Sequence, residues 1–247
     1  MSYSSPLGDE INQLYSLNDP LGRLFLVRLR ERLALHHEAS YSHCMRVGEM
    51  ARQFARFVGA SEMAADNLGL IVSCHDVGKL LVPPALLDKP DPTREEQEIL
   101  SRHGREGDMF LQGRREPLVR MAAEVVTLHH KRFKIQQKLL GKNVPPALRI
   151  ASLCDSFDSS VSMRPYRVMV TPGYALGSLI HRNATKRLSY DPNTLAFFIH
   201  FHVVFLRARL GDDEVAGLLS ALRAQKEKVQ RQPSLPKCPL KPSGPRP

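Results

Sequence analysis

Apolar residues recur along this chain at intervals of three and four positions, the spacing that places side chains on one face of an α-helix. In the segment 41–58, for example, Val47, Met50 and Phe54 share such a face. No segment shows the strict apolar and polar alternation that is typical of a half-buried β-strand. The pattern therefore predicts an all-α body, and no internal repeat is apparent.

Capping signals locate the ends of the predicted helices. A side chain that can cap, followed by proline at the first helical position, is a strong start signal. This signature occurs at Asp19-Pro20, Thr171-Pro172 and Asp191-Pro192. Ser61 and the capping box at 93–96 open two further helices. Gly59 ends the helix that begins near Tyr41, and Asp213 is expected to cap the last helix.

Composition changes divide the chain into three parts. Residues 1–18 are polar and are predicted to form a loose N-terminal arm, and residues 19–230 are predicted to form one helical domain. The basic segment 131–138 within that domain is predicted to be a loop. Residues 231–247 carry proline at nearly every third position, which matches the turn of a polyproline II helix. We expect this basic tail to be disordered, with a docking strip for a partner as the alternative.

The bulk composition is that of a globular protein, with 43% hydrophobic residues and no Trp. The four cysteines are scattered and form no C-x-x-C pair, which indicates free thiols in a reducing compartment. The N-terminus shows no signal peptide, and no apolar run approaches the roughly 18 residues that cross a bilayer. We therefore expect a cytoplasmic protein that does not associate with membranes.

The net charge of +10 is unevenly distributed along the chain. Residues 223–247 contain seven Lys or Arg and one Glu, so they carry more than half of it. Proteins that bind nucleic acids usually have a basic folded body. A basic tail is more often a solvated charged segment, which argues against nucleic acid as a partner.

Histidine and aspartate residues in apolar segments provide the candidate chemistry. On a predicted helix, His75 and Asp76 would project about 100° apart and could converge on one metal ion. Lys79, four residues after His75, would share its face and could reach a bound phosphate. Comparable segments hold His43, His103, His129, His130 and Asp155, although a histidine there could equally be a packing or surface residue. A mixed imidazole and carboxylate set favours Fe, Mn, Zn or Ni over Ca or Mg.

Taken together, these motifs resemble the HD-GYP family, a bacterial branch of the HD-domain metal-dependent phosphohydrolases. The resemblance covers about residues 41–206. It rests on the segments 43–47, 75–79, 82–83, 86–90 and 93–96, on His103 with Gly107, and on 129–130, 144–145, 149–150, 155–158 and 164–167.

The resemblance implies an HD-domain helical bundle with two divalent transition-metal ions in its core. Fe or Mn is favoured, with Zn and Ni as alternatives. The ligands that it implies for the first metal are His43, His75, Asp76 and Asp155. Those for the second are His103, His129 and His130, with Asp76 bridging the two ions.

The resemblance also implies an activity: hydrolysis of a cyclic dinucleotide, usually cyclic di-GMP, to linear pGpG or GMP. Asp76 and Lys79 would be the catalytic residues, since Lys79 resembles the lysine that contacts the scissile phosphate. Arg164 and Arg167 resemble the basic pair that holds the substrate phosphates.

The chain departs from the family pattern directly after His130. The family has an acidic residue and then a glycine-rich loop that ends in Gly-Tyr-Pro, whereas this chain has Lys131 and the basic segment 131–138. An acid that would orient a metal ligand is therefore missing. Some family members carry a glutamate for a third metal where this chain has Ala39, which argues for two metals at most.

Two interpretations remain open from the sequence. The first is an active phosphodiesterase, because every ligand position is filled. The second is a catalytically weak or inactive module of bacterial signalling, which binds metal together with a cyclic dinucleotide or a protein partner. Such a partner could use the segment 131–138 or the proline-rich tail. Hydrolysis of another nucleotide or of a phosphomonoester is a third option, and the chain could form a homodimer.

Overall fold

A computed structural model of the chain describes residues 5–162, 169–184, 188–206 and 212–230. Within these ranges it contains twelve α-helices, two short 3-10 helices and no β-strand, which confirms the all-α prediction. The α-helices are α1 (Pro6–Tyr15), α2 (Pro20–His36), α3 (Glu38–Phe57), α4 (Glu62–Val72), α5 (Pro84–Leu87), α6 (Arg94–Gly107), α7 (Pro117–Leu128), α8 (Phe133–Leu140), α9 (Pro146–Val161), α10 (Pro172–Ala184), α11 (Pro192–Leu206) and α12 (Asp212–Gln230). The 3-10 helices are Val77–Leu81 and Asp108–Phe110.

One apolar core extends through the body and has α4 near its centre. Most residues of α4, including Leu68 and Ile71, are fully buried. Helix α3 packs against α4 and α9, and α7 packs against α2, α4, α6 and α9. Phe54 of α3 meets Phe198 and Phe201 of α11 edge to face, with ring centroids 5.5 and 5.6 Å apart. The helices that carry the candidate ligands are therefore held against one another by the same core.

The N-terminal segment is a packed helix, so the prediction of a loose arm over residues 1–18 is wrong for residues 6–15. Helix α1 buries Leu7, Ile11 and Tyr15, whose spacing of four places them on one face. The Ser5 side chain caps α1, and its hydroxyl donates to the Val58 carbonyl at 2.6 Å. The segment is polar on average, but its three apolar residues share one helical face and pack this helix against the core.

The basic segment 131–138 is largely helical, and the prediction of a loop there is wrong. Helix α8 begins at Phe133 without a side-chain cap. Instead, the N–H groups of Phe133 and Lys134 donate to the carbonyls of Ser189 and Leu188, at 2.9 and 3.2 Å. These contacts come from a distant part of the chain and satisfy donors that a helix start leaves unpaired.

The predicted start signals agree with the structure. Asp19, Ser61 and Thr93 cap their helices, and Thr93 forms the complete capping box. Helix α3 begins three residues before Tyr41, because the ring of His37 accepts from the Ser40 N–H and caps it. Helix α10 begins at Pro172, α11 at Pro192 and α12 at Asp212, one residue before the expected cap.

Three further predictions concern the cysteines, membrane-spanning segments and the C-terminal tail. Cys44, Cys74 and Cys154 are buried free thiols, as expected, whereas Cys238 lies outside the described residues. None of the helices in the part of the chain that the structure describes is long and apolar enough to cross a membrane. The segment 231–247, predicted to be a disordered tail, also lies outside the described residues.

Candidate metal centre

The seven residues predicted as metal ligands lie together inside the helical body. They come from five separate segments of the chain: His43 from α3, His75 and Asp76 from the turn after α4, His103 from α6, His129 and His130 from the end of α7, and Asp155 from α9. All are buried except His130, whose side chain is 52% exposed. The sequence separation of these residues shows that only the folded chain can assemble the cluster.

The pair His75-Asp76 lies on a turn and not on an α-helix, which corrects the predicted local structure. Helix α4 ends at Val72, and a 3-10 helix follows over Val77–Leu81. Residues three apart lie one above the other in a 3-10 helix, so Lys79 aligns with Asp76 and not with His75. The Lys79 ammonium accordingly lies 2.6 Å from Asp76 Oδ2.

One group of donor atoms surrounds His43. Its Nε2 atom lies 3.3 Å from Nε2 of His75, 3.1 Å from Oδ1 of Asp155 and 3.9 Å from Oδ2 of Asp76. Nε2 of His75 lies 3.5 Å from the same Asp76 oxygen. These distances allow His43, His75 and Asp76 to converge on one cation, with Asp155 beside His43.

A second group lies on the other side of Asp76. Its Oδ1 atom is 3.0 Å from Nε2 of His103 and 3.6 Å from Nε2 of His129. Nε2 of His130 lies 3.1 Å from Nε2 of His103. Asp76 thus directs Oδ2 toward the first group and Oδ1 toward the second. Together with Asp76, the ligand atoms of His43 and His75 lie within 4.8 Å of one another, and so do those of His103, His129 and His130.

The hydrogen bonds of four histidines turn their Nε2 atoms toward the centre. Nδ1 of His75, His103 and His129 faces a backbone carbonyl at 3.0, 2.5 and 3.0 Å. Nδ1 of His43 faces Asp158 Oδ2 at 2.7 Å. Because these oxygens can only accept, each Nδ1 carries the hydrogen and each Nε2 presents a lone pair.

Such an arrangement of acceptors fits divalent metal ions. Two buried atoms at its centre, Asp76 Oδ1 and His129 Nε2, have no hydrogen-bond partner among the described residues. Lone pairs and carboxylates that face one another at about 3 Å repel unless a cation lies among them. Imidazole and carboxylate are also the donors that transition metals prefer, so the two clusters can hold metal ions.

The electrostatics of the site favour ionised carboxylates. Burial alone would raise the pKa of Asp76, but Lys79 and the neighbouring imidazoles outweigh it and hold that pKa well below its usual range. Burial lowers the pKa of His75, and partial burial together with the neighbouring His129 lowers the pKa of His130. At His103 burial also acts to lower the pKa, but Asp76 outweighs it and raises the pKa above its usual value. A bound cation would take the place of the proton that His103 would otherwise hold.

A close backbone approach brings Asp76 next to His103. A Cβ atom added to Gly78 would lie 1.8 Å from the carbonyl oxygen of His103, and one added to Gly107 would lie 2.7 Å from Cα of Gly78. Only glycine allows the 3-10 helix to lie so close to α6. The motif therefore needs glycine two residues after Asp76 for packing.

Asp158 and Arg46 belong to the site, although the sequence assigned them no role. Asp158 accepts from His43 and also from Nε and Nη2 of Arg46, both at 2.9 Å. Burial acts against the charged carboxyl, yet these hydrogen bonds outweigh it and hold the pKa of Asp158 at about 2. The spacing of three between Asp155 and Asp158 places both on one face of α9, a signal that could have identified the pair. Arg164 and Arg167, the predicted substrate-binding arginines, lie outside the described residues.

Comparisons with known proteins give the site a context. The family model of the HD domain matches residues 40–160. A cyclic di-GMP phosphodiesterase of Thermotoga maritima is 32% identical over 132 residues, which are 52% of this chain and 36% of that protein. The cyclic di-GMP phosphodiesterase response regulator RpfG of Xanthomonas campestris pv. campestris is 26% identical over 204 residues, 81% of this chain and 51% of that protein.

The name of a third relative specifies a different substrate. The 3'3'-cGAMP-specific phosphodiesterase 2 of Vibrio cholerae is 26% identical over 177 residues, 69% of this chain and 33% of that protein. The chain thus spans between a third and about half of the length of these relatives.

Proposed function

Because the chain belongs to the HD-GYP branch of the HD-domain proteins, we propose that it is a metal-dependent phosphodiesterase that hydrolyses a cyclic dinucleotide. The relatives named as phosphodiesterases for cyclic di-GMP and for 3'3'-cGAMP support this substrate class. Cyclic di-GMP is the substrate that we favour, with linear pGpG or GMP as the product.

The observation that carries the proposal is the placement of Asp76 between two groups of imidazoles. Its Oδ1 lies 3.0 Å from His103, and its Oδ2 lies 3.5 Å from His75. A carboxylate in this position suits a bridge between two divalent ions, for which we favour Fe or Mn. His43 and Asp155 would complete the first ligand set, and His129 and His130 the second.

Bound metal ions would supply Lewis-acid activation of a water molecule and of the scissile phosphate. The chain contributes the positioning. Asp76, fully ionised and buried, fixes the separation of the two ligand groups, and Lys79 lies beside it with a side chain that is 20% exposed. Burial would lower the pKa of Lys79, but Asp76 outweighs it and raises that pKa, so the ammonium stays charged. It can therefore donate to a phosphate oxygen in the transition state.

A binding module without turnover is the second candidate function. The observation that favours it is α8, which begins three residues after His130, at the position where the family pattern that the chain resembles has a glycine-rich loop. A helix there offers side-chain cations in place of the backbone contacts that such a loop can make. Metal and cyclic dinucleotide could then bind without productive alignment of the phosphodiester.

One experiment distinguishes the two candidate functions. Protein purified without oxygen and loaded with Fe(II) or Mn(II) is incubated with cyclic di-GMP or 3'3'-cGAMP, and products are identified by mass spectrometry. The Asp76→Ala variant is assayed beside Asp91→Ala, which removes an exposed carboxylate. We expect linear product from wild type and Asp91→Ala and none from Asp76→Ala. Metal-loaded wild type that binds the nucleotide and releases no product would favour the module.

A further inference from the structure

A cavity of about 700 Å³ opens from one edge of the candidate metal centre. His129, His130 and Asp155 of that centre are among the residues that line it. Its remaining wall is strongly basic and includes Lys131, Arg132, His181 and Arg182. Among the lining residues that the structure describes, Asp155 is the only acid, and it belongs to the metal centre.

A hydrogen-bonded tyrosine, Tyr190, organises part of the cavity wall. The Tyr190 hydroxyl donates to Ser156 Oγ at 3.0 Å and accepts from Arg182 Nη1 at 3.4 Å. Two further hydrogen bonds, between the Asn183 side chain and the Tyr190 backbone, are 2.8 and 3.0 Å long. Arg182 is thus held at the cavity by residues of α9, α10 and the segment that precedes α11.

Lys131 and Arg132, directly before α8, also line the cavity, and the start of that helix is anchored on two sides. Its first N–H groups bind the carbonyls of Ser189 and Leu188. Buried Gln136 donates to the Lys131 carbonyl at 2.9 Å and to the Leu128 carbonyl at 3.2 Å. These contacts fix the backbone of 131–132 at the end of α7, directly beside the histidine doublet.

We propose that this cavity binds the second phosphodiester of the substrate, the one that is not cleaved, with the nucleotide half around it. The inference rests on the proposed function and names a subsite for it. A cyclic dinucleotide carries two phosphodiesters, each with one negative charge, and the metal centre can hold only one of them for attack. Lys131, Arg132 and Arg182 provide cations for the other, and charge-assisted hydrogen bonds to phosphate are the strong kind.

The dimensions and chemistry of the cavity agree with this occupant. Pockets for small molecules are about 300–1,000 Å³ in volume. The cavity has this size, and its wall also offers the hydroxyls of Ser152, Ser156 and Tyr190, which suit ribose and base edges. Lys131 and Arg132 would thereby bind substrate at the position where the family pattern has its glycine-rich loop.

The test compares a substrate with two phosphodiesters to one with a single phosphodiester. Hydrolysis of cyclic di-GMP and of bis(p-nitrophenyl) phosphate is measured for three Mn(II)-loaded proteins. These are wild type, the double variant Lys131→Gln/Arg132→Gln, and Arg182→Gln. The control is Lys134→Gln/Lys138→Gln, which removes two exposed cations of the adjoining helix α8 that do not line the cavity. The dissociation constant of cyclic di-GMP is measured for each protein by calorimetry.

We expect the cavity variants to lose about tenfold or more in affinity and in kcat/KM for cyclic di-GMP. Their rates on bis(p-nitrophenyl) phosphate should stay within about twofold of wild type, as should all values of the control. Equal losses in cavity and control variants, or equal losses on both substrates, would overturn the subsite and leave the proposed function intact. Wild type that hydrolyses bis(p-nitrophenyl) phosphate but neither binds nor cleaves cyclic di-GMP would overturn the proposed function, and the subsite with it.

Discussion

Replacing Asp158 with Asn should weaken metal binding at the centre, although Asp158 faces Nδ1 of His43 and is not among the donor residues of the two clusters. Its Oδ2 accepts the Nδ1 hydrogen of His43 at 2.7 Å, and this bond directs Nε2 of His43 toward the metal centre. Asn keeps the volume of Asp but places an amide N–H₂ or a neutral oxygen against His43. If the N–H₂ faces Nδ1, the ring must carry its hydrogen on Nε2, where it can no longer bind metal.

The size of the effect follows from the bonds that are lost. A carboxylate that orients a metal-ligating histidine typically contributes about 10–100-fold in metal affinity. A charge-assisted hydrogen bond of about 1.5–3 kcal/mol corresponds to the same range, at about 1.4 kcal/mol for each factor of ten. Arg46, which donates twice to Asp158, would hold the amide oxygen of the substituted side chain toward itself and so favour the wrong orientation. We therefore expect a loss of about 10–100-fold for Asp158→Asn, and a smaller loss for Asp158→Ala, where water can accept from His43.

The assay is a competition titration of Mn(II) between the protein and a chromophoric chelator. The chain offers a matched control in Asp88, which pairs with His37 at 3.0 Å on the surface, where its side chain is 69% exposed. Asp88→Asn removes the same kind of bond and should leave Mn(II) affinity unchanged. Asp158→Asn protein that remains folded by circular dichroism and binds Mn(II) as tightly as wild type would show that Asp158 does not orient His43 for metal binding.

Further predictions concern charge and packing around Asp76. Lys79→Met should bind Mn(II) at least as tightly as wild type, because it removes a cation 2.6 Å from Asp76. Its turnover of cyclic di-GMP should fall about 100-fold or more. A Lys79→Met variant with the turnover of wild type would exclude Lys79 from the mechanism. Gly78→Ala should lower the melting temperature by roughly 4–10 °C, because its Cβ would lie 1.8 Å from the His103 carbonyl oxygen. Gly177→Ala, whose Cβ would meet nothing within 4 Å on α10, should be neutral or slightly stabilising in the same thermal scan.

The helices and most of their starts could be predicted from the sequence, since caps and apolar spacing are local signals. Asp19, Ser61 and Thr93 cap helices as predicted. Two of the wrong assignments, at residues 6–15 and at 131–138, share a cause. Helix α1 depends on burial of Leu7 against the core, and α8 depends on carbonyls of residues 188–189 far along the chain. Tertiary contacts of this kind leave no signature in a local window.

The residues of the candidate site could be predicted as a set, but their arrangement could not. Resemblance to a family indicated which histidines and aspartates would meet. It did not indicate that Lys79 pairs with Asp76, because that contact depends on a 3-10 helix following the turn. Nor did it give a role to Asp158, whose contact with His43 joins residues 115 positions apart.

Hydrolysis of a cyclic dinucleotide by a two-metal centre can be tested in a single titration. Mn(II) is added stepwise to chelator-treated protein, and the bound metal and the initial rate of cyclic di-GMP hydrolysis are measured at each step. We expect two bound ions per chain and a rate that rises mainly as the second ion binds, with neither event in Asp76→Ala. Full activity with one ion bound, or no hydrolysis with two, would contradict the proposed two-metal mechanism.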